Sequence, residues 1–271
     1  MTDISVEGLV HVYPEEGVRA LDGVDLRIGS GERVAIIGQN GSGKTTLVRH
    51  LNGLLRPNSG SVRLDGVDAA SLTVAQLAAR IGLVFQDPDS QIFSGSVRSE
   101  VEFGARNVGL RDGARREAVA RALRAVGLAG EEATNPYDLG GARRKLLALA
   151  SVLAMETPVL VLDEPTTGQD AGGVERVREV LDSVSAGGRT IIAISHDMRF
   201  VAEAFERVVV LQAGRVVLDG SPAVAFGRDA WETLTSTYLE PPFAAVVGDR
   251  LGLGSTPTDA ALVEELRHRP G

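Results

Sequence analysis

The stretch RVAIIGQNGSGKTTLVRHLNGLL, residues 33–55, decides the fold of this chain. It begins with aliphatic residues typical of a buried strand, passes through a glycine-rich segment and ends with apolar residues at helical spacing. The glycine-rich centre, Gly38–Thr45, fits the pattern G-x-x-x-x-G-K-[ST], in which successive backbone N–H groups point at phosphate oxygens. The helix that follows presents its positive end to the same anion. The stretch therefore predicts an α/β fold with a phosphate site between a strand and a helix.

The first candidates for contact with a nucleotide are the loop residues and Thr46, which follows the loop. They are Gly38, Gln39, Asn40, Gly41, Ser42, Gly43, Lys44, Thr45 and Thr46. In this pattern Lys44 bridges the β- and γ-phosphates, and the Thr45 hydroxyl holds Mg²⁺. Only two of the 28 basic residues are lysine, Lys44 and Lys145, so chance alone rarely places one in this pattern. An ordinary glycine-rich turn is the alternative, and the predicted strand and helix on either side argue against it.

Two further predicted strands end in residues suited to hydrolysis. VLVLDE, residues 159–164, is an apolar run that ends in two carboxylates, and TIIAIS, residues 190–195, is followed by His196. Ligands bind at the carboxyl ends of strands in α/β sheets, so Asp163 can reach a bound Mg²⁺ and Glu164 can polarise an attacking water. His196 would contact the γ-phosphate as a sensor or clamp. A strand end that meets solvent and a structural histidine are the alternatives, and the phosphate loop favours catalysis.

Composition narrows the class of protein. The 271 residues, 44% of them hydrophobic and 24% charged, can form the core of one large domain or of one domain with appendages. The net charge of −8 argues against nucleic-acid binding, because phosphate backbones reward clustered Lys and Arg. The chain has no cysteine, which excludes disulfides and thiolate metal sites. No signal peptide is recognised and polar residues interrupt the most apolar stretch, residues 146–162, so no membrane-spanning segment is expected.

The remaining pattern predicts how the chain is organised. ISVEGLVHVY and VDLRI have strand spacing and predict an antiparallel β layer at the N-terminus. Helical spacing is expected over residues 96–130 and again over about 142–155. Strands that alternate with helices afterwards indicate a largely parallel sheet. We divide the chain into a domain over residues 1–232 and a less regular C-terminal extension over residues 233–271.

Together these motifs resemble those of the nucleotide-binding subunits of ATP-binding cassette (ABC) transporters, over nearly the whole chain. Gln86 in LVFQDPDSQIF resembles the family's Q-loop, TTGQD, which ends at Asp170, resembles its D-loop, and ISHD contains the switch histidine at His196. Tyr13 in HVYP stands in the place of the aromatic residue that stacks on adenine, and a strand aromatic packed on the core is the alternative. The resemblance implies an α/β P-loop NTPase cassette with an N-terminal antiparallel β subdomain, a RecA-like core and an inserted helical subdomain at about 93–155.

The resemblance also implies cofactors and partners. ATP and Mg²⁺ are the expected ligands, with Thr45, Gln86 and Asp163 around the metal and Gln86 relaying the nucleotide state. FQDPDSQIF, EVEFGARNVGL and YLEPPFAAVVGDRLGL resemble more particularly the ATPases of energy-coupling factor (ECF) transporters, which import vitamins and transition-metal ions. This implies a peripheral protein at the cytoplasmic face of the membrane. Its implied partners are a second ABC ATPase subunit in a head-to-tail dimer, held partly by residues beyond about 233, a membrane-embedded coupling protein and a substrate-binding membrane subunit.

One motif of the family is degenerate in this chain. The family's signature, LSGGQ, closes over the nucleotide of the opposite subunit, and its ungapped equivalent here is LGGAR, residues 139–143. Gly140 then replaces the serine, Gly141 is retained, Ala142 replaces the second glycine and Arg143 replaces the glutamine. A register shifted by one residue aligns both glycines but still lacks the hydroxyl and the amide. We therefore expect a heterodimer with a paralogue that carries a complete signature, rather than a homodimer with two weak sites.

Three consecutive cations begin at the last residue of the degenerate signature. Arg143, Arg144 and Lys145 lie in the first turn of a predicted helix, where positive charge opposes the helix dipole. Arg143 could replace the lost donors by reaching the partner's phosphates, as an arginine finger does. We favour the interpretation that these cations are solvated or bind another face of the complex.

Other functional classes fit the sequence less well. A soluble ABC ATPase that acts on DNA or the ribosome should carry a coiled-coil insertion, a second cassette or a basic surface. A non-enzymatic nucleotide binder is expected to lack Glu164 or His196, and both are present. An exporter cassette is the remaining alternative, although such cassettes are commonly fused to a membrane domain.

Overall fold

The computed structural model of the chain describes residues 2–268, which form two β-sheets surrounded by helices. In chain order the strands are β1 (Ile4–Tyr13), β2 (Val18–Ile28), β3 (Arg33–Ile37), β4 (Ser59–Leu64), β5 (Val67–Asp68), β6 (Ile81–Val84), β7 (Val159–Asp163), β8 (Thr190–Ile194), β9 (Arg207–Gln212) and β10 (Arg215–Gly220). The helices are α1 (Lys44–Leu51), α2 (Val74–Ala78), α3 (Val97–Asn107), α4 (Asp112–Ala125), α5 (Gly141–Leu153), α6 (Ala171–Ala186), α7 (Met198–Ala204), α8 (Pro222–Ala225), α9 (Trp231–Ser236), α10 (Phe243–Arg250) and α11 (Asp259–His268). Within this described part of the chain, no helix has both the length and the apolar character needed to cross a bilayer.

The smaller sheet is antiparallel and has the strand order β2-β1-β4-β5. β1 pairs with β2 on one side and with β4 on the other. Its buried side chains, including Ile4, Val6 and Leu9, share one apolar core with residues of α1 such as Leu47. This sheet is the antiparallel layer that the N-terminal sequence predicts.

The larger sheet has the order β10-β9-β3-β8-β7-β6 and is parallel except for the β9–β10 pair. Its central strands β7 and β8 are buried along their whole length, which explains why their sequences are continuous apolar runs without alternation. The register pairs Ile36 with Ile194, and Asp163 also with Ile194. The carboxyl ends of β3, β7 and β8 therefore lie side by side, where α/β sheets bind ligands.

The helical subdomain consists of α3, α4 and α5, which pack on one another through buried residues such as Val101, Leu123 and Leu147. Helical spacing over 96–130 is resolved into two helices, because Gly109 turns the chain between them with a φ of 88°. α5 carries this subdomain back to the large sheet, where it precedes β7. α5 thus links the degenerate signature, at the N-terminal end of this helix, to β7, the strand that leads into Asp163 and Glu164.

The C-terminal extension is more helical than its sequence suggested, with α10 and α11 beyond residue 233. The buried residues of α10 are Ala244, Ala245 and Gly248, and such small side chains leave a weak apolar pattern. The side chain of Gln212, at the end of β9, donates to the carbonyl oxygen of Ser236 at 2.8 Å and fastens the extension beside the ligand-binding edge of the sheet. α9 spans residue 232, and the division of the chain at that point stays a prediction.

Candidate active site

The phosphate loop leaves β3 at Gly38 and enters α1 at Lys44. Two of its glycines are required by the approach of other backbone segments. A Cβ at Gly38 would lie 2.2 Å from the carbonyl oxygen of Leu211, and one at Gly43 would lie 2.4 Å from that of Ala20. Both glycines also have positive φ angles, 150° and 105°, which other residues rarely adopt. Glycine therefore allows the loop to lie against β2 and β9 while its residues line a cavity.

Polar atoms inside the loop suit an anion. Lys44 is buried, and its Nζ donates to the carbonyl oxygens of Gly38 at 2.7 Å and Gln39 at 2.9 Å. Burial lowers the pKa of Lys44, and nearby carboxylates oppose this effect. The Ser42 hydroxyl is buried and has no hydrogen-bond partner among the residues that the structure describes. A buried cation and an unpartnered buried hydroxyl in one glycine loop fit the oxygens of a phosphate group.

The side of the site next to α1 presents oxygen ligands. The Thr45 hydroxyl donates to a carboxylate oxygen of Asp163 at 3.1 Å. Burial raises the pKa of Asp163, while the hydrogen bond from Thr45 lowers it. Gln86 is exposed and lines the same cavity. Hydroxyl, carboxylate and amide oxygens are the donors that hard divalent cations prefer, so the three predicted metal ligands fit such an ion.

Glu164 and His196 form a close pair at the carboxyl ends of β7 and β8. Oε2 of Glu164 lies 2.7 Å from Nδ1 of His196 and 3.3 Å from its backbone nitrogen. The Glu164 side chain is 11% exposed and that of His196 is 64% exposed, so the carboxylate is sheltered while the imidazole faces the cavity. Glu164 has a φ of 53°, an unusual value for a residue with a side chain. The pair is suited to orient and deprotonate a water molecule.

These groups line one cavity of about 640 Å³. It brings together most of the residues that the sequence singles out: Tyr13, Gly38, Gln39, Asn40, Gly41, Gly43, Lys44, Thr45, Thr46, Gln86, Asp163, Glu164 and His196. The volume lies within the range of ligand sites of small molecules, about 300–1,000 Å³. The phosphate loop, the carboxylate pair and the histidine are therefore placed to act on one ligand.

Tyr13 forms part of the cavity wall together with Val18 and Ala20. Its hydroxyl lies 3.1 Å from Oγ1 of Thr46, and its ring packs against the His11 ring in a T-shaped arrangement with the centroids 4.7 Å apart. These contacts anchor an aromatic ring beside the phosphate loop, where a nucleotide base could stack on it.

The C-terminal extension contributes two residues to the cavity that sequence reasoning missed, Tyr238 and Leu239. Tyr238 is 86% exposed and has a φ of 55°, while Leu239 is buried. Both stand at the start of YLEPPFAAVVGDRLGL, but this local pattern does not assign them to the cavity, because the position of their loop depends on the contact between Gln212 and Ser236.

Six predicted residues do not line this cavity, and one of them, Ser42, is buried inside the phosphate loop. Asp170 caps α6 by accepting a hydrogen bond from the backbone N–H of Gly173 at 2.8 Å. The signature residues Gly140, Gly141, Ala142 and Arg143 lie at the start of α5, where Gly140 is the N-cap. The signature segment of this chain is therefore not part of the cavity that the phosphate loop lines.

The three consecutive cations that begin at Arg143 have separate partners. Arg143 pairs with Glu131 at 2.5 Å. Arg144 binds the carbonyl oxygen of Leu139 and a carboxylate oxygen of Asp89, both at 3.0 Å. The interpretation that all three are solvated or bind another face of the complex is wrong for Lys145, which is buried.

Lys145 instead donates to the carbonyl oxygens of Glu164 at 2.5 Å and Thr167 at 3.0 Å. Lys145 lies next to the buried apolar face of α5. Its two hydrogen-bond partners come from a different part of the chain, so the sequence of α5 alone does not reveal them.

Comparison with known proteins identifies the family. The family model described as ABC transporter matches residues 21–167. The ATP-binding protein EcfA of an energy-coupling factor transporter from Methanothermobacter thermautotrophicus is 40% identical over 268 residues, which cover 98% of this chain and 85% of that protein. An ABC transporter ATP-binding protein from Methanosarcina mazei is 44% identical over 80% of this chain, but the chain spans only 43% of its length.

Solved structures agree with the sequence comparison. The structure of cbiO1 from Clostridium perfringens, described as part of the ABC transporter complex cbiONQ, has a TM-score of 0.75 and 37% identity, covering 86% of this chain and 94% of that one. A dimeric ATP-binding cassette in a post-hydrolysis state, bound to ADP and Pi, has a TM-score of 0.74 and 27% identity, covering 80% of this chain and 98% of that one. The chain belongs to the ABC transporter family and is an ATPase with the α/β cassette fold, as its motifs predict.

Proposed function

We propose that this chain is the subunit that binds and hydrolyses ATP in an ECF-type importer. The observation that carries the proposal is the pair of Glu164 and His196, 2.7 Å apart, in the same cavity as Lys44 of the phosphate loop. The similarity to EcfA and to cbiO1 supports the transport role. The proposed cargo is a vitamin or a transition-metal ion, held by a separate substrate-binding membrane subunit.

The chemistry follows from the contacts of these residues. Backbone N–H groups of the loop and the Ser42 hydroxyl bind phosphate oxygens, and the Lys44 ammonium exchanges its two loop carbonyls for the β- and γ-phosphates. Glu164 accepts a proton from the attacking water, while His196 orients the carboxylate and contacts the γ-phosphate. Tyr13 stacks on the adenine.

We propose Thr45, Gln86 and Asp163 as ligands of Mg²⁺, which when bound neutralises charge on the phosphate oxygens. The hydrogen bond between Thr45 and Asp163 keeps the two oxygen ligands together before the nucleotide arrives. Gln86 begins the segment that leads from the cavity to the helical subdomain, and this suits it to report the nucleotide state.

A groove beside that segment suits a membrane-embedded coupling protein. It has a volume of about 560 Å³, and its wall includes the partly exposed side chains of Leu54, Val74, Phe93 and Phe103. Gln91 ties the segment to α5, because its amide accepts from the N–H of Phe85 at 3.1 Å and donates to α5 at 3.0 Å. An apolar element of the coupling protein inserted into this groove would contact both the Gln86 segment and α5. It would therefore shift when either of them moves. On this proposal the chain works at the cytoplasmic face of the membrane.

The degenerate signature leads us to propose a heterodimer. In a head-to-tail pair, the signature of each subunit faces the nucleotide of the other, and Gly140 offers no hydroxyl to a γ-phosphate oxygen. A paralogous ABC ATPase subunit with a complete signature would give one strong site, built on Lys44, Asp163, Glu164 and His196 of this chain. The residues beyond about 233 would help to hold the two subunits together.

The test is ATP hydrolysis by the purified chain alone, with Glu164→Gln as its blank and the oligomeric state measured in parallel. Tight ATP binding without turnover would support the heterodimer, and addition of the partner subunit should then start hydrolysis. Turnover at a normal rate by a homodimer would refute the heterodimer and leave the ATPase intact. Turnover that persists in Glu164→Gln would refute the assigned role of the carboxylate.

A further inference from the structure

Lys145 holds the main chain of the residue that the proposed mechanism uses as its base. Its side chain reaches from the first turn of α5 to the carbonyl oxygens of Glu164 at 2.5 Å and Thr167 at 3.0 Å. It is 7% exposed, and it forms no ion pair within the described part of the chain. We propose that Lys145 is a positioning residue, which fixes Glu164 for catalysis and links it to the signature segment of the same chain.

The backbone of Glu164 needs such support. Its φ of 53° lies in the left-handed region, which is unfavourable for a residue with a side chain and persists only where the surroundings impose it. The N–H of Glu164 donates to the carbonyl oxygen of Ile194 at 2.9 Å, and Lys145 binds the carbonyl on the other side of the residue. Main-chain partners on both sides therefore set the direction in which the carboxylate leaves the strand, towards His196.

A second hydrogen bond connects the same two segments. The side-chain amide of Gln169 donates to the carbonyl oxygen of Ala142 at 3.0 Å. α5 thus contacts the stretch from Glu164 to Gln169 at two points. The side chain of Lys145 makes one contact, and the side chain of Gln169 makes the other. If the partner's nucleotide shifts the signature end of α5, the shift reaches Glu164 through these two contacts.

The chemistry of the side chain fits this role. Burial lowers the pKa of Lys145, and the charges of Glu164, Asp163 and Asp87 oppose this effect and favour the ammonium. Arginine fills nearly all other basic positions, but a compact ammonium with three donors suits two converging carbonyl oxygens better than a planar guanidinium. The Lys145 ammonium directs the carbonyl oxygens and leaves the Glu164 carboxylate free for water.

The inference rests on the proposed role of Glu164, so the experiment is a double-mutant cycle. We would measure ATP turnover by the full chain, together with its partner subunit if the chain alone is inactive. Lys145→Met should lower kcat by about 10- to 100-fold and leave KM within about 3-fold, because misplacing a catalytic group costs rate. In the Glu164→Gln background, single-turnover rates should fall by less than about 3-fold on adding Lys145→Met, because the two residues act as one unit. An equal loss in both backgrounds would overturn the proposal, as would wild-type turnover in Lys145→Met.

A matched control variant distinguishes the loss of the Lys145 contacts from the general effect of removing a buried or half-buried cation. Arg189 is half-buried, and its Nε donates to the carbonyl oxygen of Thr157 at 2.6 Å, away from the cavity. Arg189→Met should change kcat by less than about 2-fold, whereas Lys145→Gln, which keeps N–H donors, should lose less than Lys145→Met. A kcat loss in Arg189→Met as large as that in Lys145→Met would count against a specific role for Lys145.

Hydrogen exchange provides a readout that does not depend on turnover or on the partner. In Lys145→Met, the backbone amides of Glu164, Thr167 and Gln169 should exchange about 10-fold faster, while those in the middle of α6 keep their protection. Unchanged exchange at these three amides in a folded variant would overturn the proposal. If Glu164→Gln hydrolyses ATP like the wild type while Lys145→Met shows faster exchange, the proposed function fails and the positioning contact stands.

Discussion

The two halves of the catalytic apparatus differ in how the chain holds them. The cavity half, around Lys44, Asp163 and Glu164, is buried and every one of these side chains has a polar contact within the same chain. The signature half, residues 140–143, starts a helix at the surface and lacks the hydroxyl and amide of its family pattern. In the head-to-tail pair that we propose, the two halves serve different nucleotides, so one half can stay complete while the other degenerates.

The largest effect should come from the cavity half. Glu164→Gln keeps the size of the side chain but removes the proposed base, so turnover should fall by about 10²- to 10⁴-fold. Nucleotide affinity should stay within a few-fold, because the proposed binding groups, Lys44 and the loop backbone, are unchanged. Rates and ATP affinity measured on one preparation test this. A similar loss of affinity would mean that Glu164 contributes to binding.

Repair of the signature should increase turnover if the missing serine hydroxyl limits the reaction. Gly140 is the N-cap of α5 with a φ of −61°, and a Cβ there meets no atom within 4 Å. Serine fits this position and would also cap the helix. Because a hydrogen bond to a charged group contributes about 1.5–3 kcal/mol, Gly140→Ser should raise turnover of the homodimer by about 10-fold or more. Steady-state ATPase assays of the chain alone would measure the change.

Gly140→Ala is the matched control for this repair, since it adds the Cβ without the hydroxyl. We expect no gain from it. An equal gain in both variants would mean that helix stability, and not the missing donor, limits the reaction.

A smaller effect should appear in stability. Burial raises the pKa of Asp163 above its ordinary 3.8, so the native state binds a proton more readily than the unfolded state and stability falls as pH rises through this window. Asp163→Asn should therefore raise the melting temperature of the nucleotide-free protein at pH 7 by about 2–4 °C, equivalent to about 1 kcal/mol. The gain should shrink towards pH 4. Thermal unfolding at both pH values tests this.

Asp229→Asn, which removes an exposed carboxylate, should leave the melting temperature within about 1 °C in the same assay. A lower melting temperature for Asp163→Asn at both pH values would show that the hydrogen bond from Thr45 outweighs the cost of burial.

Sequence reasoning predicted what short patterns encode. The phosphate loop is local, and the edge of a parallel sheet brings the ends of β3, β7 and β8 together. The sequence could therefore place Lys44, Asp163 and His196 beside one another, where the structure also has them, and their roles stay predictions. Tyr238 and the partners of Lys145 were missed because their positions depend on the packing of segments that no periodicity relates. From sequence alone, Lys145 is one more cation in a basic helical turn, and nothing in the local pattern indicates that its side chain is buried.

The smallest effect should come from the cation that replaces the glutamine of the signature. Arg143 is paired with Glu131 of its own chain at 2.5 Å, and both side chains are partly exposed, so the pair contributes about 0–1 kcal/mol to stability. Arg143→Ala should change turnover of the assembled ATPase by less than about 2-fold, because the ion pair holds the guanidinium within its own subunit. A loss of about 10-fold or more, with Glu131→Gln unaffected, would show that Arg143 leaves this partner and reaches the opposite nucleotide. Arg143 would then replace the donors that the signature has lost. The two halves would both be functional and would differ only in the groups that contact the nucleotide.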